Sequence, residues 1–225
     1  MYVPEDAQCN LNKLFEGEYP VNFNTLEFYN DSTFYINTYF FNGTNRLFKF
    51  LFNEEFSQIY LKYGSYYIKE IEIHSNREDF YIEGNNLINL EKLCIYGSLN
   101  CSLLFEYCYK LSEIIMPDVY GSIPSFSFYE CLDLKKFIVP SNIDSILTNA
   151  FSASGLEEIY INRKLKSVGY CTFGGVNIQK VYYEGTLEEW KSILFEDEFS
   201  NPLHAGGKLY INNELVTDPS VYPYN

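Results

Sequence analysis

The chain has 225 residues, of which 47% are hydrophobic and 19% aromatic, too apolar for a disordered polymer and the right length for one globular unit. Its formal net charge of −14 repels nucleic-acid phosphates and anionic membrane surfaces, which both need a basic footprint, so no nucleic acid is expected among its partners. No apolar run reaches the roughly 18 residues that a membrane-spanning helix needs, so membrane insertion is not expected either.

The opening residues, MYVPEDAQCN, hold neither a basic stretch nor an apolar core, so no secretory signal is visible. Residues 1–25 are expected to form an N-terminal cap. From there to residue 185 the sequence repeats itself. Units start at Leu26, Leu47, Ile68, Leu90, Leu111, Leu134, Leu156 and Ile178, in steps of 21, 21, 22, 21, 23, 22 and 22 residues. From the second unit onward the third and fifth positions after the start are apolar: Phe50/Phe52, Ile71/Ile73, Leu93/Ile95, Ile114/Met116, Phe137/Val139, Ile159/Ile161 and Val181/Tyr183. Period-2 spacing of this kind reads as a short strand with those residues inward. The unit at Leu26 is degenerate, with Asp31 in an inward place.

The second half of each unit must return the chain to its start. Ile123, Ile146 and Val168 should form one buried row, and Phe105, Phe128, Phe151 and Phe173 another. Each ring removed from water contributes roughly 1.5–3 kcal/mol. Before Leu90 this pattern fades, and irregular returns are expected there. A fixed period near 22 residues is the signature of a leucine-rich-repeat solenoid. The expected fold is a right-handed superhelix of about seven to eight turns over residues 26–185, mostly β and loop, with one short parallel strand per turn.

Solenoid ends expose core and need caps. Thr186 and Glu189 form a capping-box pattern that opens a helix from Leu187 to about Phe195, with Leu187, Trp190 and Leu194 on one side. Trp190 reads as a lid over the last repeat rather than as a ligand platform. KLYI, Asn212-Asn213 and ELVT read as a hairpin, because Asn tolerates positive φ in a two-residue turn. The C-terminal cap thus spans 186–217 and a loose tail 218–225.

The residues offer little chemistry. His74 and His204 lie 130 positions apart, which removes His-based triads and most metal sites. Phosphate loops and nucleophile elbows are missing. The six cysteines, Cys9, Cys94, Cys101, Cys108, Cys131 and Cys171, show no metal-ligand spacing. Cys108 and Cys131 each sit three residues before a unit start and should stack, as buried free thiols or, alternatively, as a disulfide. The expectation is a chain without catalytic residues, metal or cofactor; a glycosidase-like carboxylate pair is the one enzymatic alternative.

The outward strand positions are more telling. At the second position stand Lys49, Glu70, Lys92, Glu113, Lys136, Glu158 and Lys180, alternating in sign without a break. Such a ladder sets register and solubility, each exposed pair giving a few tenths of a kcal/mol to about 1. At the fourth position the row runs Leu51, Glu72, Cys94, Ile115, Ile138, Tyr160 and Tyr182. The half comprising Ile115, Ile138, Tyr160 and Tyr182 is an apolar stripe on a face that meets water, the mark of an interaction site.

Residues 90–218 resemble BspA-like leucine-rich repeats. The likeness rests on the apolar-Pro strand ends Met116-Pro117 and Val139-Pro140, the pair Ala150-Phe151, and Phe128 followed three places later by Cys131. VYYEGTLEEWKSI and SNPLHAGGKLYINNELVTD add a C-terminal block similar to the one that follows the repeats in bacterial members. The resemblance implies a non-catalytic scaffold that binds an unidentified protein partner through its strand face, adhesin-like, at the cell surface or secreted. Without a visible signal, a cytoplasmic or virus-particle location stays open. So do an architectural role (a surface-layer or particle subunit that self-associates) and a carbohydrate-binding module using the tyrosines.

Overall fold

The computed structural model describes residues 27–29, 33–36, 47–51, 58–61, 69–74 and 81–222 apart from 99 and 101, with side chains for 69–71 and from 81 onward. The expected cap over 1–25 and the end of the tail lie outside the described residues. Strands β1 (Glu27–Tyr29) and β2 (Thr33–Ile36) pair antiparallel. Front and back strands then alternate: β3 (Leu47–Leu51), β4 (Gln58–Leu61), β5 (Glu70–His74), β6 (Tyr81–Glu83), β7 (Lys92–Tyr96) and β8 (Leu103–Leu104). The alternation continues through β9 (Glu113–Ile115), β10 (Tyr120–Ile123), β11 (Lys136–Ile138), β12 (Asn142–Ile146), β13 (Glu158–Ile161), β14 (Ser167–Val168) and β15 (Lys180–Tyr183). Helix α1 (Leu187–Lys191) interrupts it before β16 (Leu194–Phe195), β17 (Lys208–Ile211) and β18 (Glu214–Leu215).

The result is a parallel-strand solenoid. Front strands pair in two sheets, β3-β5-β7-β9 and β11-β13-β15-β17-β18, and back strands in two more, β1-β2-β4-β6-β8 and β10-β12-β14-β16. The period-2 pattern is why the front segments are strands: in β13, Ile159 and Ile161 are buried while Glu158 and Tyr160 keep solvent contact. Inside, each repeat position becomes a row. The unit starts Leu90, Leu111, Leu134, Leu156 and Ile178 are all buried, as are Ile123, Ile146 and Val168, which are register partners along the back sheet. Phe128 and Phe151 stack at 5.4 Å, and Phe151 and Phe173 at 6.0 Å.

A third side of each coil is a turn. Its backbone bonds run from coil to coil: the N–H of Phe105 donates to Ser127 (2.8 Å), that of Phe128 to Ala150 (2.8 Å) and that of Phe151 to Thr172 (3.1 Å). The turn requires a left-handed residue, filled in successive coils by Asn86, Tyr107, Glu130, Ala153 and Gly175. The Asn that follows the front strand at Ile161, where the two preceding coils have Pro117 and Pro140, also has a reason. Asn162 is buried, and its Nδ2 donates to the carbonyls of Pro140 (2.6 Å) and Ile143 (3.0 Å) while Oδ1 accepts from the Lys164 N–H. Asn162 thus stitches its coil to the one before.

Several expectations need correction. Glu27–Tyr29 is not a front strand; it folds back on β2 in the back sheet. Among the described residues before Leu90, the back strands β2, β4 and β6 pair in parallel, so the irregularity expected there is not seen in those segments. Leu47 aligns with Glu70 and Lys49 with Glu72, two places from the spacing read in sequence. A two-residue slip preserves which side chains face inward, so hydrophobic alternation cannot detect it. The front ladder is also interrupted, because β9 ends one sheet and β11 opens another. The step there, from Leu111 to Leu134, is the longest in the repeat, 23 residues. Finally, the cap helix stops at Lys191, and β16 rejoins the back sheet through a bond from the Leu194 N–H to the Lys166 carbonyl. Periodicity changes there from helical to period 2, so Ile193 is buried and Leu194 is 62% exposed.

Both cap signals form as written: Thr186 and Glu189 bond reciprocally, and Asn212 and Asn213 take positive φ in the β17–β18 turn. Trp190 is buried, edge-on to Tyr183 at 5.5 Å.

Cys108 and Cys131 are buried free thiols. Each donates to a carbonyl of a preceding coil, Cys108 to Gly84 (3.2 Å) and Cys131 to Phe105 (3.3 Å). Burial pushes the Cys131 thiol up to about 12 and the Cys108 thiol well above its usual value, the latter helped by Cys131. A thiol raised in the fold stabilises it fully below the unfolded pKa near 8.5, and that contribution is lost as pH climbs toward the folded value. Stability should therefore fall between about pH 8.5 and 12 by roughly 1 kcal/mol per pH unit for Cys131, and in the same direction for Cys108. Urea midpoints at pH 8 and pH 10 check this against Cys131→Val, which imitates Val176 in the same row; equal pH slopes for both chains would refute it. In native protein, iodoacetamide should reach Cys171, which is only half-buried, and spare Cys108 and Cys131.

Candidate interaction face

The face built by the outward residues of β7, β9, β11, β13, β15 and β17 is where sequence placed a charge ladder and an apolar stripe. The charges do meet across strands. Lys92 Nζ donates to Glu113 at 2.7 Å and Lys180 Nζ to Glu158 at 2.7 Å. These bonds hold both ammonium groups above their usual pKa. Glu70 and Lys92 are register partners, as are Lys136 and Glu158, but nothing pairs Glu113 with Lys136 across the break between sheets. Lys49 aligns with Glu72 rather than Glu70, and its side chain lies outside the described residues. The alternation ends at Lys180, whose partner in β17 is Lys208.

Lys136 does something the ladder did not foresee. Its Nζ sits 4.4 Å from the centroid of the Tyr160 ring, so the charged row and the apolar row interlock through a cation–π contact.

The stripe itself begins at Ile115, because Cys94 in the same row is buried. Ile115 is half-buried; Ile138 is 60% exposed between the buried Phe137 and Val139. Tyr160 and Tyr182 stack at 4.5 Å with planes 14° apart, and Tyr182 stacks on Tyr210 at 5.2 Å and 24°. Parallel strands bring equivalent side chains within ring-stacking distance, and that spacing makes a column. Partial desolvation in the column raises the Tyr182 phenol. Tyr210 is the member that sequence reading missed. Its segment KLYI matches KVYY in β15 residue for residue at Lys and Tyr, and that likeness was the available signal; the insertion carrying α1 hid it by stretching the step.

A second concavity lies where the front strands turn into the back. A groove of about 480 Å³ is lined by Tyr120, Asn142, Asp144, Arg163, Lys166 and Glu189, among others. Four of its charges pair with each other, Arg163 with Glu189 at 2.7 Å and Lys166 with Asp144 at 3.1 Å, while Lys164 donates to the Asn142 amide at 2.8 Å. The lysine bond lowers the Asp144 carboxyl and the arginine bond lowers that of Glu189. Neither can hold a proton near neutrality, as the acid of a glycosidase pair must. Among the described residues no cluster of His, Cys, Asp and Glu could hold a metal ion, and no helix is long and apolar enough to cross a membrane. His74 ends β5, and His204 packs edge-on against Phe199 in the C-terminal region.

Residues 101–201 match the family described as BspA type leucine rich repeat region, in six copies. They are BspA-type leucine-rich repeats. The solenoid geometry agrees, with coils about 22 residues apart and register partners stacked from coil to coil. Two solved structures are similar to the chain in fold. One is a leucine rich cell surface protein from Faecalibacterium prausnitzii, 16% identical, TM-score 0.44, matched over 75% of this chain and 40% of its own. The other is a leucine-rich repeat protein from Bacteroides ovatus, 22% identical, TM-score 0.49, matched over 72% of this chain and 42% of its own. The chain thus spans about two fifths of either relative. No curated protein matches it.

Proposed function

We propose that this BspA-type repeat protein is a non-catalytic scaffold that binds a protein partner through its strand face. The observation that carries the reading is the row Ile115, Ile138, Tyr160, Tyr182 and Tyr210, with Ile138 60% exposed beside the tyrosine column. The Lys180–Glu158 pair flanks the stripe, and Lys136 lies over the Tyr160 ring, so part of the charge beside it is already partnered. The column also favours protein over glycan. Sugar rings bind to open aromatic faces, whereas stacking covers both faces of Tyr182 and one each of Tyr160 and Tyr210, and Lys136 also lies over Tyr160. The lowered carboxyls of the groove support the non-catalytic part of the reading. An adhesin-like role at a surface accords with the repeat type.

The double change Ile138→Ser and Tyr160→Ser tests this. It should cost about 1–2 kcal/mol of stability, the loss of one ring stack and one exposed side chain. A photo-crosslinking side chain at position 138 should trap the partner, and the same group at the exposed, off-face Lys164 should not. Partner binding at wild-type strength by the double variant would place the site elsewhere. Light scattering separates the architectural reading: if the stripe joins copies of this chain, the wild type is an oligomer and the double variant a monomer.

A further inference from the structure

The turns between back and front strands carry a second group of rings that the strand-face reading does not use. Tyr107 and Tyr129, in consecutive coils, meet edge to face at 5.4 Å. Tyr109 joins Tyr107 at 6.4 Å and Phe126 joins Tyr129 at 5.9 Å, both edge to face. Tyr109 and Phe126 are 38% and 39% exposed, so the cluster reaches water. The fold does not ask for rings here. Tyr107 occupies the left-handed turn position that Asn86, Ala153 and Gly175 fill in other coils, and Phe126 another that Asn149 fills in the next. Residues suited to positive φ suffice at those places, yet this pair of coils presents aromatic surface instead.

Edge-to-face packing differs from the stacked column on the strand face. Each such contact sets the edge of one ring on a face of the other, so the three contacts leave most faces of the four rings, the negative side of the aromatic quadrupole, uncovered by other rings. Carboxylates reinforce the sign. Glu106 and Glu130 flank the cluster, and among the described residues neither is ion-paired. Lys110, the nearest cation in sequence, is turned to Asn89 at 2.9 Å. Burial and the charge of Glu83 raise the Glu106 carboxyl, and the charge of Glu130 raises the Tyr129 phenol. The Tyr129 shift comes first from the Glu130 charge, and the Glu106 shift first from burial with the Glu83 charge adding to it. The chain's net charge of −14 extends that field over a longer range.

We propose that the ring cluster Tyr107, Tyr109, Phe126 and Tyr129, with Glu106 and Glu130 beside it, docks a lysine- or arginine-bearing segment of a partner polypeptide. The basic side chains lie over the ring faces while the carboxylates neutralise them. The surface is separate from the strand face, and either could fail without the other.

The test titrates the full chain with a nona-arginine peptide in about 0.15 M salt by calorimetry, where diffuse charge attraction is screened beyond about 8 Å. Tyr107→Leu combined with Tyr129→Leu keeps the net charge and should weaken binding about tenfold, two cation–π contacts being removed. Phe199→Leu, at a 40% exposed ring outside both surfaces, should leave the affinity unchanged. Equal affinity for the wild type and the turn-face variant means attraction to overall charge alone and overturns the proposal. So does a loss of similar size in the Phe199→Leu variant, or no measurable binding by the wild type. Should the double variant fail to fold, Phe126→Leu at an exposed ring is expected to weaken binding about threefold; an unchanged affinity there also overturns the proposal.

Discussion

Phe151→Ala is expected to cost about 3–5 kcal/mol, close to half the stability of a typical domain. The ring is fully buried and meets three others: Phe128 at 5.4 Å, Phe173 at 6.0 Å and Phe137 at 4.7 Å. It is therefore shared by three consecutive coils, and a solenoid coil is held only by its neighbours. The cavity cannot close easily, because the coil spacing is fixed by backbone bonds such as Phe128 N–H to Ala150 and Phe151 N–H to Thr172. Urea denaturation followed by circular dichroism measures the loss. Ile138→Ala, at an exposed position, should stay within about 0.5 kcal/mol. A Phe151→Ala loss below about 1.5 kcal/mol would mean that the phenylalanine row is not the core.

The second large effect comes from adding an atom. Gly155→Ala should destabilise by about 3 kcal/mol or more, the upper end of overpacking costs. Gly155 has no positive φ, so backbone preference is not the reason. A β-carbon there would overlap the carbonyl of Leu132 in the preceding coil, and the Gly155 N–H already donates to Cys131 at 3.0 Å. Backbone faces backbone, and neither can move without breaking the stack. Gly206 provides the contrast. It has φ +88 with nothing within 4 Å of an added β-carbon, so Gly206→Ala should cost only about 1–2 kcal/mol of backbone strain. Thermal melts of the two variants decide the matter; Gly155→Ala melting at or above Gly206→Ala would show that close approach is not the constraint.

The front strands from Lys92 to Tyr183, the buried rows behind them and the capping box at Thr186 were readable because each depends on local chemistry repeated at one period. The stripe was readable for the same reason, since parity alone places Ile138 and Tyr160 outward once Phe137 and Ile159 go in. Tyr210 was not found, because a helix and its flanking loops separate it from Tyr182 by 28 residues rather than 22. The turn-face rings were not found either. Their positions differ from coil to coil, and only the shared turn conformation brings Tyr107 and Tyr129 together.

By itself, the sequence determined the repeat, its period, the identity of the inward residues and the capping box of the helix at Leu187. Those follow from how often apolar side chains recur and from which residues can start or stop a helix. Tertiary structure alone decided where Lys49 aligns, where one front sheet gives way to the next, and which charges meet. A two-residue slip or a gap between strands leaves every inward residue inward, so burial does not discriminate between the alternatives; the hydrogen bonds between coils do.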